Sequence, residues 1–183
     1  MRPAARQVCW VASDLQKRKS SIVFTAMDAN DDGLLERADF EALTDRWVAI
    51  RGDSGEPRLR ELMMGWWDTL LSASDQDRDD KVTFDELLGV VDNLGTMLDL
   101  VVATAESMFE AVDEDGDGRI SAEEYSWMIR AWTGAQTPTD EAFARLDLDG
   151  DGWLSKNEFA RHWVEFWAGD DPDAPGTHVF GAV

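Results

Sequence analysis

Apolar side chains recur every three or four residues through most of this chain, and short, strongly polar stretches interrupt them. That period is the mark of amphipathic helices. Residues from about 13 to 27 form the first, with Leu15, Ile22, Val23, Ala26 and Met27 as its buried face. A second covers about 37–50. Arg51-Gly-Asp-Ser-Gly-Glu-Pro57 breaks the pattern, and a helix restarts near Pro57, since proline suits a first helical turn. It carries Leu59, Leu62, Met63, Trp66, Trp67, Leu70 and Leu71. Residues 84–94 and 99–112 read as two helices separated at Gly95. Thr133-Gly-Ala-Gln-Thr-Pro138 breaks the chain again, with Thr137 as a cap. A last helix, about 156–168, is crowded with Trp163, Phe166 and Trp167. A polar strip, 169–176, leads to an apolar end at Val179 and Phe180. Exposed aromatic clusters are costly, so the tail is expected to fold back over the core.

The polar interruptions are four copies of one pattern: DANDDGLLERAD (28–39), DQDRDDKVTFDE (75–86), DEDGDGRISAEE (113–124) and DLDGDGWLSKNE (147–158). Each has oxygen-bearing side chains at positions 1, 3, 5 and 12, and an aliphatic residue at position 8: Leu35, Val82, Ile120 and Leu154. An apolar residue lies four places before each copy (Phe24, Leu71, Phe109, Phe143), and another directly after it (Phe40, Leu87, Tyr125, Phe159).

Such spacing follows from the chemistry of a hard divalent cation. Ca²⁺ takes six to eight oxygens at about 2.3–2.6 Å with loose geometry, as in the EF-hand loop. Residues 1, 3 and 5 of a tight turn aim three side chains inward, and position 7 gives a backbone carbonyl, so its side chain varies freely. Position 12, in the first turn of the next helix, closes the shell with a carboxylate. The candidate ligands are therefore Asp28, Asn30, Asp32, Leu34 and Asp39 in loop I, and Asp75, Asp77, Asp79, Lys81 and Glu86 in loop II. Asp113, Asp115, Asp117, Arg119 and Glu124 serve loop III; Asp147, Asp149, Asp151, Trp153 and Glu158 serve loop IV. Thr83, Ser121 and Ser155 each precede a glutamate by three residues, which is a helix capping box in its own right. Capping alone explains neither the aspartates at 1, 3 and 5 nor the glycine at 6. The position 8 aliphatics predict short two-stranded contacts between loops.

The loops are unequal. III and IV are complete. Loop I ends in Asp39, one methylene short, which makes bidentate closure harder and admits the smaller Mg²⁺ as a competitor. Glu36, at position 9, is placed to compensate. Loop II has Asp80 at position 6, where the backbone turns with positive φ and glycine is favoured. A non-glycine there costs about 1 kcal/mol or more. Three to four bound Ca²⁺ ions are expected.

Net charge is −21, but the acidity is local: the loops hold 21 of the 38 acidic side chains and five basic ones. Like charges at such density repel unless cations occupy them. No basic patch exists for phosphates, which argues against nucleic acid as a partner. No apolar run approaches the roughly 20 residues that span a bilayer, and the Val8–Ala12 run is too short for a signal-peptide core. With Cys9 as the single cysteine, a disulfide framework is excluded and a cytoplasmic location is expected.

The fold class read from this is all-α: two EF-hand pairs packed together. The divisions are a 1–13 extension, a 14–95 pair, a 99–168 pair and a 169–183 tail. Loop starts 47, 38 and 34 residues apart, with an apolar stretch between loops II and III, favour pairs packed face to face over a dumbbell. The loops, their uneven spacing and the aromatic helices resemble the sarcoplasmic calcium-binding proteins and their bacterial relatives of the calerythrin type, over roughly residues 14–181. That resemblance implies a compact cytosolic protein that buffers or transports calcium, or signals. Nine tryptophans suit a fixed core better than a methionine-lined target groove. Met27, Met63, Met64 and Met108 lie in apolar helix patterns and read as core. A monomeric calcium buffer or transporter is the first expectation; a sensor docking a partner helix through an exposed hydrophobic groove is the second. Photoproteins and luciferin-binding proteins of the same fold rely on several histidine, tyrosine and tryptophan side chains lining a cavity. Here only Tyr125, His162 (a surface residue on the last helix) and His178 (a tail residue) stand beside the tryptophans, so no enzymatic activity is expected.

Overall fold

A computed structural model describes residues 12–51, 56–94 and 97–181. Eight helices carry them: α1 (Asp14–Met27), α2 (Arg37–Arg51), α3 (Glu56–Ser74), α4 (Phe84–Val91), α5 (Leu98–Val112), α6 (Ala122–Thr133), α7 (Asp140–Leu146) and α8 (Lys156–Ala168). Four two-residue strands sit in the loops: β1 (Leu34–Leu35), β2 (Val82–Thr83), β3 (Arg119–Ile120) and β4 (Leu154–Ser155). β1 pairs antiparallel with β2, placing Leu35 opposite Val82, and β3 pairs with β4, placing Ile120 opposite Leu154. All four position 8 side chains are fully buried, so each short ladder is also a hydrophobic stitch between two loops.

Every loop starts the same way, and three of the four end the same way. The position 1 N–H caps the entering helix: Asp28 donates to Phe24, Asp75 to Leu71, Asp113 to Phe109 and Asp147 to Phe143, at 2.8–3.0 Å. At the far end, capping boxes Thr83/Glu86, Ser121/Glu124 and Ser155/Glu158 start α4, α6 and α8. α1 begins with another, Ser13/Gln16.

One aromatic core runs through the molecule. Phe40 meets Trp66 and Trp67, Trp66 meets Trp132, and Phe180 lies among Trp132, Trp163 and Phe166 with centroids 4.8–5.3 Å apart. Edge-to-face pairs of this kind each add about 0.5–1.5 kcal/mol beyond their burial. Phe180 arrives on a tail that turns back through a 3₁₀ turn at Pro175–His178. The tail backbone lies directly on α8. A Cβ at Gly176 would come within 2.5 Å of the His162 carbonyl oxygen, so only glycine fits, and its N–H donates to Glu165 Oε2 at 2.9 Å. Tyr125 Oη donates to the Val179 carbonyl at 3.3 Å.

Charged groups also tie the halves. Buried Lys19 on α1 donates to the Gly169 and Glu165 carbonyls at the C-terminal end of α8, at 2.7 and 3.2 Å. Burial lowers its ammonium to about 8, against the opposing pull of Asp170. From α2, Arg46 donates to the Ala131 and Trp132 carbonyls at the end of α6, and Arg51 donates to the Ala111 carbonyl at the end of α5. Cations there complement the negative ends of both helices.

Several sequence expectations need correction. α4 stops at Val91, and Gly95 lies outside the described residues, as does most of the 51–57 breaker. Cys9 also lies outside them. Thr139, not Thr137, precedes α7, with no side-chain cap bond. His162 is fully buried rather than on the surface: its ring hydrogen-bonds the Leu146 carbonyl at 2.7 Å and faces Glu165 at 3.3 Å. Among the described residues no helix is long and apolar enough to cross a membrane.

Candidate metal centre

The backbone of each loop curls around its own carboxylates. In loop III, Asp113 accepts from the Gly116 and Gly118 N–H groups at 2.8 and 3.0 Å. Asp115 accepts from Asp117 N–H at 3.0 Å, and Asp117 from Arg119 N–H at 2.9 Å. The two oxygens of Glu124 accept separately, one from Glu114 N–H and the other from Ser121 N–H, both at 2.8 Å. Loop IV repeats the scheme. Asp147 accepts from Gly150, Asp151 and Gly152, Asp149 from Asp151, and Asp151 from Trp153. Glu158 spans Leu148 and Ser155 N–H groups at 3.0 and 2.9 Å.

Loop II follows the pattern with strain. Asp75 accepts from Arg78, Asp79 and Asp80, Asp79 from Lys81, and Glu86 from Gln76 and Thr83. Arg78 and Asp80 both hold φ of 63°. Loop I has Asp28 accepting from Asp32 and Gly33, Asn30 from Asp32, and Asp32 from Leu34. Asp39 bridges the Ala29 and Glu36 N–H groups at 3.2 and 2.8 Å, as the glutamates do elsewhere. It does so from a retracted position, only 2% exposed.

In three loops, carboxylate oxygens from positions 1, 3 and 12 come within 4.8 Å of one another: Asp75, Asp77 and Glu86; Asp113, Asp115 and Glu124; Asp147, Asp149 and Glu158. Oxygens so close, all acceptors, suit a hard cation and little else. The crowding has an electrostatic signature. Desolvation, then Asp79, Glu86 and Asp75, raise the Asp77 carboxyl above the ordinary range. Asp39 is raised mainly by burial, against its two backbone hydrogen bonds, with Asp28 and Asp32 adding repulsion. Two closing glutamates are instead kept ionised. Glu86 is lowered, chiefly by the Thr83 N–H. Glu158 is desolvated, but hydrogen bonds from Ser155, Leu148 and Asp149 outweigh that and lower it.

At position 7, Leu34, Lys81, Arg119 and Trp153 sit beside or in the strands, and side chains at this position reach across to the partner loop. Lys81 Nζ lies 2.5 Å from Glu36 of loop I, and the Arg119 guanidinium sits 5.7 Å above the Trp153 ring, which is 36% exposed. Glu36, at position 9 of loop I, is thus engaged with Lys81 of loop II.

Sequence reasoning weighed position 6 alone and missed position 4. The chain turns left-handed there too: Asp31 (φ 59°), Arg78 (φ 63°), Gly116 and Gly150 (both φ 72°). Two glycines against an aspartate and an arginine were the available signal.

Residues 102–164 match the EF-hand domain pair model. The chain is 24% identical to a sarcoplasmic calcium-binding protein beta chain of Penaeus sp., covering 91% of this chain and 95% of that one. It is 27% identical to calerythrin of Saccharopolyspora erythraea over 81% of this chain and 87% of that protein. The fold is similar to calcium-loaded apo coelenterazine-binding protein from Renilla muelleri, with a TM-score of 0.76 at 20% identity over 94% of this chain and all of that one. At that identity the likeness is one of fold.

Proposed function

We propose that this calcium-binding EF-hand protein, of the sarcoplasmic calcium-binding protein and calerythrin type, is a monomeric cytosolic calcium buffer. The observation that carries the reading is the closure of the core. Phe180 wedges among Trp132, Trp163 and Phe166, contributed by two different helices, and the tail is bolted to α8 through Gly176. A sensor must open a groove on binding calcium. Rigid indoles interlocked across both halves oppose such opening, so binding tightens the structure instead. Three or four ions are taken, at loops III and IV first, with Asp39 making loop I the place where Mg²⁺ competes.

Ion by ion, Asp, Asn and Glu side chains at positions 1, 3, 5 and 12 would supply the oxygens, together with the position 7 carbonyls. The ion neutralises carboxylates that otherwise repel each other.

A second reading, a sensor, is favoured by one observation. Leu98 and Val102 on α5 are 46% and 42% exposed one helical turn apart, and their neighbours Leu100 and Val101 line a small apolar cavity with Met27, Trp66 and Leu94.

Calorimetric titration with Ca²⁺, with and without Mg²⁺, combined with a hydrophobic dye, separates the two. A buffer gives dye binding that holds or falls as calcium fills the sites. Dye binding that rises with calcium would replace the buffer by the sensor.

A further inference from the structure

Loops III and IV have the same side-chain ligand set, yet among the described residues only loop III has a buried arginine behind it. Arg51, the last residue of α2, has a side chain 9% exposed. Its Nη1 donates to the Ala111 carbonyl, two residues before the loop, and its Nε lies 3.8 Å from Glu114 at loop position 2. Arg51 lines a tight crevice together with Glu124, which closes the loop and is itself 8% exposed. Glu114, Glu124 and Asp113 are the acidic groups whose field Arg51 feels, in that order. Glu114 N–H in turn holds Glu124 at 2.8 Å. Burial of the guanidinium lowers its pKa, and these three carboxylates only partly counter that desolvation.

We propose that Arg51 is the resident counter-cation of loop III, a positioning residue that holds the emptied loop in shape and sets its calcium affinity. This rests on the reading of loop III as a calcium site. When the loop is empty, the guanidinium offsets the crowding of Asp113, Glu114 and Glu124. When a divalent ion enters, the same charge opposes it across a poorly solvated interface, where screening by salt is weak. Affinity is therefore held down by the same interaction that steadies the apo state. Arg51 also comes from the helix whose first turn carries Asp39, so loop III is governed by a residue of the other loop pair.

The test is an NMR titration of the full chain in buffered calcium. It follows the amides of Gly33, Gly118 and Gly152, which donate to Asp28, Asp113 and Asp147 and so report loops I, III and IV separately. Arg51→Met keeps the apolar stem and removes the charge. Calcium affinity at Gly118 should tighten about threefold to thirtyfold, with Gly152 changed less than about twofold, and Arg51→Lys should restore most of the original value. The melting temperature of the chelated protein should fall more than that of the calcium-loaded one. An unchanged or weaker loop III affinity in Arg51→Met, or equal losses of melting temperature in both states, overturns the proposal and leaves Arg51 as packing alone. If Gly118 of the unaltered chain ignores calcium, it is the calcium-site reading that fails.

Discussion

The two loop pairs present nearly the same oxygens on different backbones. In loops III and IV, glycines take the left-handed positions 4 and 6: Gly116, Gly118, Gly150 and Gly152. In loop I, Asp31 occupies one of these, and in loop II Arg78 and Asp80 occupy both. The C-terminal pair closes with glutamates throughout, while the N-terminal pair has Asp39, drawn into the core. Even the contacts between partner loops differ: an ion pair, Lys81–Glu36, against a guanidinium over an indole, Arg119–Trp153. A ligand list therefore fixes which element a loop can hold, whereas the cost of bending the chain around it sets how readily it does so.

The largest effect expected is on stability. At a thousandfold excess over its dissociation constant a bound ion adds about 4 kcal/mol. For two tight sites, chelation should lower the melting temperature by roughly 15–30 °C. A melt indifferent to EDTA would erase the distinction between the pairs altogether. Next come the closing residues. Glu124→Gln and Glu158→Gln should each weaken their own loop by about 3 kcal/mol, over a hundredfold. Asp39→Glu should raise the preference of loop I for Ca²⁺ over Mg²⁺ roughly tenfold, read by calorimetry in each ion. Backbone relief is smaller. Arg78→Gly and Asp80→Gly should each tighten loop II by about 1 kcal/mol, or fivefold. The same exchange, Asp31→Gly, should help loop I alone, and no gain in either would mean the strain is absorbed elsewhere. Smallest is Lys81→Met, which frees Glu36. The pair is more than a third exposed, so the change should stay within about 0.5 kcal/mol and fade in high salt.

Much of this was legible in the residues. The repeat gave the loop boundaries, the pairing of position 8 aliphatics and the helices between, because ion geometry and helical periodicity are both local. Glu124 and Glu158 could be assigned to their capping boxes from spacing alone. What escaped depends on neighbours distant in sequence. His162 reads as a polar residue on a helix, and only the return of the tail and the nearness of Leu146 bury it. The engagement of Glu36 needs Lys81 from 45 positions away, brought close by the β1–β2 ladder. Arg51 looks like the end of a helix until its guanidinium is seen to reach the Ala111 carbonyl at the end of α5.

Phe180 adds a consequence for synthesis. The ribosome delivers residues in order, at roughly 5–20 per second, so Trp132, Trp163 and Phe166 are all synthesised before the Phe180 that wedges among them, and the last stretch between α8 and Phe180 alone takes roughly half a second to two and a half seconds. During that interval the nascent protein has its metal loops but an open seam of indoles, the form most at risk of sticking to its neighbours. Calcium available at the tunnel exit would shorten the exposure by ordering the hands early, so yield on expression should depend on the ion supply during translation as well as on the finished fold.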